Sequence, residues 1–179
     1  MGCARWYHPA ERRRPAPLNL SRSPMIVLEP VAHVRSPRTD LDDDRWGEVI
    51  AVVELVERIP ATALDGIEAF SHAELLFHFH RAGPDAIVID RRHPRGDTAW
   101  PLVGIFAQRG SCRPNLLGST IVEIVQREGR RLSVRGLDAV DGTPVLDIKP
   151  VMAEFLPRGD VRQPEWSRDV MHAYWHRRE

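Results

Sequence analysis

The chain has 179 residues, 42% of them hydrophobic, and balances 25 basic against 25 acidic side chains. That composition fits one soluble globular domain with tails and is too apolar for wholesale disorder. No stretch approaches the ~18 apolar residues of a membrane-spanning helix. The two cysteines, Cys3 and Cys112, are too few for a disulfide framework or a four-cysteine zinc site, so a reducing, cytoplasmic setting is the simpler reading.

The zero net charge hides an asymmetry. Residues 1–23 hold five arginines against Glu11 (+4), and residues 158–179 hold five arginines against four acids (+1), so residues 24–157 sit near −5. A general positive potential is therefore not how the central part would find a polyanion. Four prolines and no apolar periodicity mark 1–24 as a disordered extension, with Met25 opening the folded part.

From Ile26 onward, short apolar runs read as strands: Ile26–Val34, Val49–Leu55, Ala73–His80, Ala86–Ile89, Leu102–Ala107, Ser119–Val125, Leu132–Arg135 and Val145–Lys149. Turn pairs such as Ser36-Pro37, Gly83-Pro84, Glu128-Gly129 and Asp141-Gly142 separate them, and residues 60–70 read as a short helical turn. Many short strands without repeated helical crossovers predict a mainly β fold, a small closed β-barrel, rather than a doubly wound sheet. Near the end, Pro164 suits a first helical position, and Trp166, Val170, Met171, Tyr174 and Trp175 share one helical face. That C-terminal amphipathic helix needs cover, from its own barrel or from a second subunit. The expected organisation is an extension over 1–24, a barrel domain over 25–157, and a C-terminal extension with the helix over 158–179.

Three segments concentrate polar chemistry. In 71–80, one strand face carries His72, Glu74, Leu76, His78 and His80, and the other carries Ala73, Leu75, Phe77 and Phe79. His78 and His80 have the spacing of two metal ligands, but nothing else completes a set, so a polar strand face is favoured and no metal is expected. In 107–118, Arg109 and Arg113 flank Ser111, with Pro114 and Gly118 setting the backbone, which describes either a rigid binding loop or an elaborate turn. Cys112 has no histidine near it in sequence to make it a nucleophile. In 136–150, Asp138, Asp141 and Asp147 describe either a site for a cation, a ribose or an amino group or, equally well, a plain hairpin with acidic turns. No G-x-G-x-x-G, Walker A, G-x-S-x-G or H-E-x-x-H occurs, which leaves the common nucleotide-binding and hydrolase readings unsupported.

Taken in order, Arg35-Ser36-Pro37, Gly66 through His72, Leu76 through His80, Val103 through Arg109, Arg113-Pro114-Asn115 with Gly118, and Leu137 through Pro150 resemble the TrmO family, also called TsaA-like or YaeB-like, over about residues 26–157. The resemblance implies a β-barrel methyltransferase that uses S-adenosylmethionine, which accounts for the missing glycine-rich loop. It implies a homodimer that methylates N6 of threonylcarbamoyladenosine beside the anticodon of threonine tRNAs. Matched residue by residue, the cofactor site would include Arg35, Ser36, Pro37, His80, Arg81, Arg109, Arg113, Leu137, Asp138, Ala139 and Val140. Asp138, Asp141 and His80 are the general-base candidates. Where longer bacterial members carry a separate C-terminal domain, this sequence continues into Gly159–Pro164 and the tryptophan helix. Two alternatives stand beside the tRNA enzyme: a methyltransferase of the same fold acting on a small molecule, and a non-catalytic binding module.

Overall fold

The computed structural model describes residues 25–176; the expected N-terminal extension over 1–24 lies outside the described residues. Among the described residues eight strands form: β1 (Ala32–Arg35), β2 (Ile50–Leu55), β3 (His72–His78), β4 (Arg91–Arg92), β5 (Val103–Gly104), β6 (Leu117–Glu128), β7 (Arg131–Arg135) and β8 (Pro144–Pro150). Six of them close into a barrel in the order β1-β2-β7-β6-β3-β8, and every neighbouring pair is antiparallel. β4 and β5 pair separately as a small ribbon.

Alternation makes the barrel. On β3, Ala73, Leu75 and Phe77 are buried while His72, Glu74, Leu76 and His78 face outward. Ala32 and Val34, Ala51 and Val53, Leu132 and Val134, Val122 and Val145 supply the other inward positions of one continuous core. A six-stranded barrel is narrow, so its interior is filled by these side chains and small alanines recur among them. Register shifts between Leu76 and Phe77 on β3, and between Ile124 and Gln126 on β6, bend the strands as closure requires.

The mainly β reading and the closed barrel hold. Three expected strands are much shorter or absent, for local reasons. Residues 25–30 form no strand: Pro30 interrupts the run, because proline lacks the N–H a ladder needs. Ala86–Ile89 makes no strand either, since Pro84 opens a 3-10 turn over Pro84–Ala86. Leu102–Ala107 pairs only at Val103–Gly104 before a 3-10 turn begins at Ile105. The helical turn expected in 60–70 appears as two 3-10 turns, Ala61–Leu64 and Ile67–Ala69.

The C-terminal helix α1 is short, Glu165–Val170, with Pro164 capping it rather than occupying its first turn. Its chain then turns back onto the barrel, where the amides of Arg45 and Trp46 donate to the carbonyls of Ala173 (3.1 Å) and Tyr174 (2.8 Å). The anticipated apolar stripe is thus covered in part by its own subunit. No helix among the described residues is long and apolar enough to cross a membrane. No free thiol is present among them, so the compartment reading drawn from the cysteines gains nothing from the structure.

Candidate functional site

An all-antiparallel barrel sorts its connections by end. The C-terminal ends of β1, β3 and β7 and the N-terminal ends of β2, β6 and β8 share one rim, so three connections meet there: 36–49, 79–116 and 136–143. Every residue that the sequence reading assigned to a site lies in these connections or at the strand end feeding them.

A cleft opens at this rim. Leu41, Phe77, Phe79, Ala139 and Val140 give it an apolar wall, and His80, Arg81, Ala82, Ser111 and Thr143 complete it. Thr143 and Ser111 are buried, whereas His80 and Arg81 stand exposed at the mouth. Among the described residues no carboxylate lines it. The Arg81 guanidinium donates to the Thr39 carbonyl and so ties the end of β3 to the 36–49 connection.

Of the assigned cofactor residues, the fold brings His80, Arg81, Ala139 and Val140 onto this cleft. Ser36 and Pro37 stand behind it: the Ser36 amide donates to Asp141 Oδ1 (3.0 Å), and the Ser36 hydroxyl accepts from the Arg38 amide (3.1 Å). Arg35 points elsewhere, to Glu54 at 3.1 Å on the outer barrel wall. Arg113 donates to the Gln108 carbonyl (3.2 Å) and Arg109 to the Ser119 carbonyl (2.5 Å), so both brace the 107–118 loop. Leu137 is fully buried in the core and offers a ligand only its backbone.

The general-base candidates separate clearly. Asp138 is held on both oxygens, Oδ1 by the Thr120 hydroxyl and Oδ2 by the Tyr174 hydroxyl. Burial pushes its carboxyl above the usual range, while those two hydroxyls and nearby Arg109 pull the other way. Burial, with Asp138 alongside, likewise raises the Tyr174 phenol. Asp141 is engaged by Ser36 and lies close to His80. The His80 imidazole is lowered from 6.5 by burial, by Arg81 and by His78, against an opposing pull from Asp141, so it is mostly neutral near neutral pH and able to accept a proton. β3 ends at His78, so His78 and His80 do not share a strand face. Among the described residues no group of three or more His, Cys, Asp or Glu side chains is placed to hold a metal ion.

Sequence reasoning passed over Leu41, Arg38, Trp46 and the part that Tyr174 plays. Phe79 had a signal, since it continues the inward alternation of β3 past the strand end. Arg38 had none. It is buried, and its guanidinium lies 3.8 Å from the Trp46 ring centroid while donating to the carbonyls of Asp42, Asp44 and Arg45, which shapes the connection that carries Leu41 to the cleft.

A closed six-stranded barrel whose loops gather at one rim, around a cleft with an apolar wall and a cationic mouth, defines a small ligand-binding β-barrel domain. The chain belongs to the family described as the tRNA-methyltransferase O N-terminal domain, whose model matches residues 36–155. It is 34% identical to a probable S-adenosyl-L-methionine-binding protein of Pyrococcus abyssi, over 77% of this chain and 74% of that one. It is 40% identical to a tRNA (adenine(37)-N6)-methyltransferase of Mus musculus, over 76% of this chain but only 32% of the relative. The crystal structure of TrmO from Pseudomonas aeruginosa superposes with a TM-score of 0.63 at 32% identity, covering 77% of this chain and 61% of that one.

Proposed function

We propose that this chain binds S-adenosylmethionine in the rim cleft and, as a homodimer, transfers the methyl group to N6 of a threonylcarbamoylated adenine beside the anticodon of a tRNA. One observation carries the reading. His80, Arg81, Ala139 and Val140, assigned to the cofactor by family resemblance and about 60 residues apart in sequence, line a single cleft. The names of the relatives in mouse and Pyrococcus support the acceptor and the cofactor respectively. In this reading residues 25–157 are the catalytic barrel domain and 158–179 an appended extension.

The residues present fit the cofactor. Phe79, Ala139 and Val140 offer apolar surface to the adenosyl group of the cofactor, and Arg81 at the mouth suits the carboxylate of its methionine part. When bound, the cofactor supplies an electrophilic methyl group on a sulfonium sulfur. What the chain contributes is orientation, holding donor and acceptor in line. His80 adds a neutral imidazole at the mouth of the cleft, placed to take the proton that a delocalised, carbamoylated N6 must lose.

The test is to incubate the purified chain and methyl-labelled cofactor with tRNA from cells lacking the gene, then to digest the tRNA and weigh its nucleosides. One methyl added to threonylcarbamoyladenosine is the expected result. A second reading, a small-molecule acceptor, is favoured by the net charge near −5 of residues 24–157. Labelled small molecules with unlabelled tRNA would select it, and cofactor binding without any transfer would point to a binding module.

A further inference from the structure

We propose that Tyr174 is a positioning residue, carried by a built-in strap of residues 173–175 that closes over the rim and fixes the 139–140 wall of the cleft through Asp138. The proposal rests on reading that cleft as the cofactor site.

The strap has a prepared seat. Two backbone hydrogen bonds, from Arg45 and Trp46 to Ala173 and Tyr174, lay it along the 45–47 segment like an added strand. Arg45 sits there at a φ of 68°, a left-handed conformation disfavoured for arginine, and the Arg38 guanidinium holds its carbonyl at 3.2 Å. Gly47 leaves room for the crossing chain. A Cβ at that position would overlap the carbonyl oxygen of Trp175 and lie 3.1 Å from its carbonyl carbon. Beyond it, the Trp175 ring reaches Gly136, 3.9 Å from where a Cβ would stand, and Tyr174 and Trp175 pack edge to face at 4.8 Å.

What the strap delivers is one hydroxyl. Tyr174 donates to Asp138 Oδ2 while Thr120, on β6, donates to Oδ1. The carboxylate is clamped between the barrel wall and the strap, and the two residues that follow it line the cleft. Remove the strap's hydroxyl, and one anchor of the 137–140 stretch is gone although the barrel is intact. Tyr174 therefore acts through Asp138 and need not touch the cofactor.

Five proteins test this: the intact chain, Tyr174→Phe, Gly47→Ala, Asp138→Asn, and the double variant Tyr174→Phe/Asp138→Asn that completes a cycle. Calorimetric titration with S-adenosylmethionine should show about tenfold weaker binding in Tyr174→Phe, the effect of one lost hydrogen bond. Gly47→Ala, which displaces the strap without altering Tyr174 or Asp138, should weaken binding similarly. In the Asp138→Asn background, Tyr174→Phe should add little, as expected of a residue acting through its neighbour. A merely structural role would lower the melting temperature and leave affinity unchanged in Tyr174→Phe and Gly47→Ala, and that result overturns the proposal. Amide exchange gives a readout independent of the cofactor: in Gly47→Ala the Arg45 and Trp46 amides should lose protection, and those of Asp141 and Thr143 should exchange about tenfold faster. Loss of protection at Arg45 and Trp46 with Asp141 and Thr143 unchanged would mean that the strap docks without holding the wall. If the intact chain does not bind S-adenosylmethionine, the cofactor reading fails, and the exchange data alone decide for or against the strap.

Discussion

The Arg38 guanidinium stacks 3.8 Å from the centroid of the buried Trp46 ring and at the same time donates to three backbone carbonyls, those of Asp42 (3.0 Å), Asp44 (2.7 Å) and Arg45 (3.2 Å). One cation thus sets the path of the whole 38–46 connection, and through it both Leu41 in the cleft and the seat of the strap. Arg38→Met should remove all three donors and leave part-buried carbonyls unsatisfied, at ~2–4 kcal/mol in denaturant unfolding. Arg38→Lys should recover little of this, because an ammonium cannot reproduce the planar fork or the stacking. Equal stability of the lysine variant and the native chain would show that charge alone suffices.

Gly118 is a packing glycine. It begins the inward run of β6, and a Cβ there would lie 2.6 Å from Phe77 Cζ, inside a core where Phe77 is almost wholly buried. Gly118→Ala should therefore cost ~1–3 kcal/mol through overpacking. Because Phe77 also lines the cleft, cofactor affinity should fall along with the melting temperature. A neutral result would mean that the ring moves freely.

Alternation on β3, β6 and β7 was legible in the sequence because burial on one face imposes a period of two. The site segments were legible through family resemblance, and the antiparallel barrel explains why they converge on one rim. Arg38 over Trp46 was not legible, since an arginine eight residues before a tryptophan carries no periodic signal and its partners are backbone carbonyls. The Tyr174–Asp138 contact was hidden for another reason. Tyr174 fits the apolar stripe of a helix that in fact ends at Val170, so its hydroxyl was read as part of a packing face. Arg35 shows the converse: resemblance assigned it to the cofactor with Ser36 and Pro37, while a strand's alternation turned that one side chain to Glu54 on the outer wall.

The pH dependence of stability should report on Asp138. Its native pKa is raised by burial, so the folded chain holds that proton more tightly than the unfolded chain does. The stabilisation from this difference is complete below the unfolded value, near 3.8, and is lost as pH rises through the native value. His80 acts oppositely: its lowered pKa means that its contribution is lost as pH falls below about 6.5. Both proteins in a comparison of Asp138→Asn with the native chain retain His80, so its effect cancels. The melting temperature of the asparagine variant should gain on the native one as pH rises from about 4 to about 8. A difference independent of pH would show that Asp138 ionises as it does in the unfolded chain.

The arginines near the rim should not contribute equally to cofactor binding. Arg81 lines the cleft and is exposed at its mouth, so Arg81→Ala should weaken S-adenosylmethionine binding about tenfold. Arg113→Ala and Arg109→Ala should act more weakly and indirectly, by loosening the loop that their carbonyl contacts brace. Arg35→Ala should leave affinity unchanged, because its partner is Glu54 on the outer wall. Titration of all four variants would decide the matter; a loss in Arg35→Ala equal to that in Arg81→Ala would move the cofactor away from this cleft.

The C-terminal extension should be dispensable for assembly. Its backbone contacts run to Arg45 and Trp46 of the same chain, and Tyr174 reaches Asp138 of the same barrel, so part of its apolar stripe is already covered. If the chain is a homodimer, sedimentation should give about twice 20.4 kDa. A chain lacking residues 160–179 should then remain a folded dimer with weakened cofactor binding. Circular dichroism dominated by strand would confirm that the shortened barrel is folded. A folded monomer after truncation would instead place the extension between subunits and set aside its role as an intramolecular strap. An intact chain that sediments as a monomer, yet binds cofactor and methylates, would remove the dimer from the mechanism.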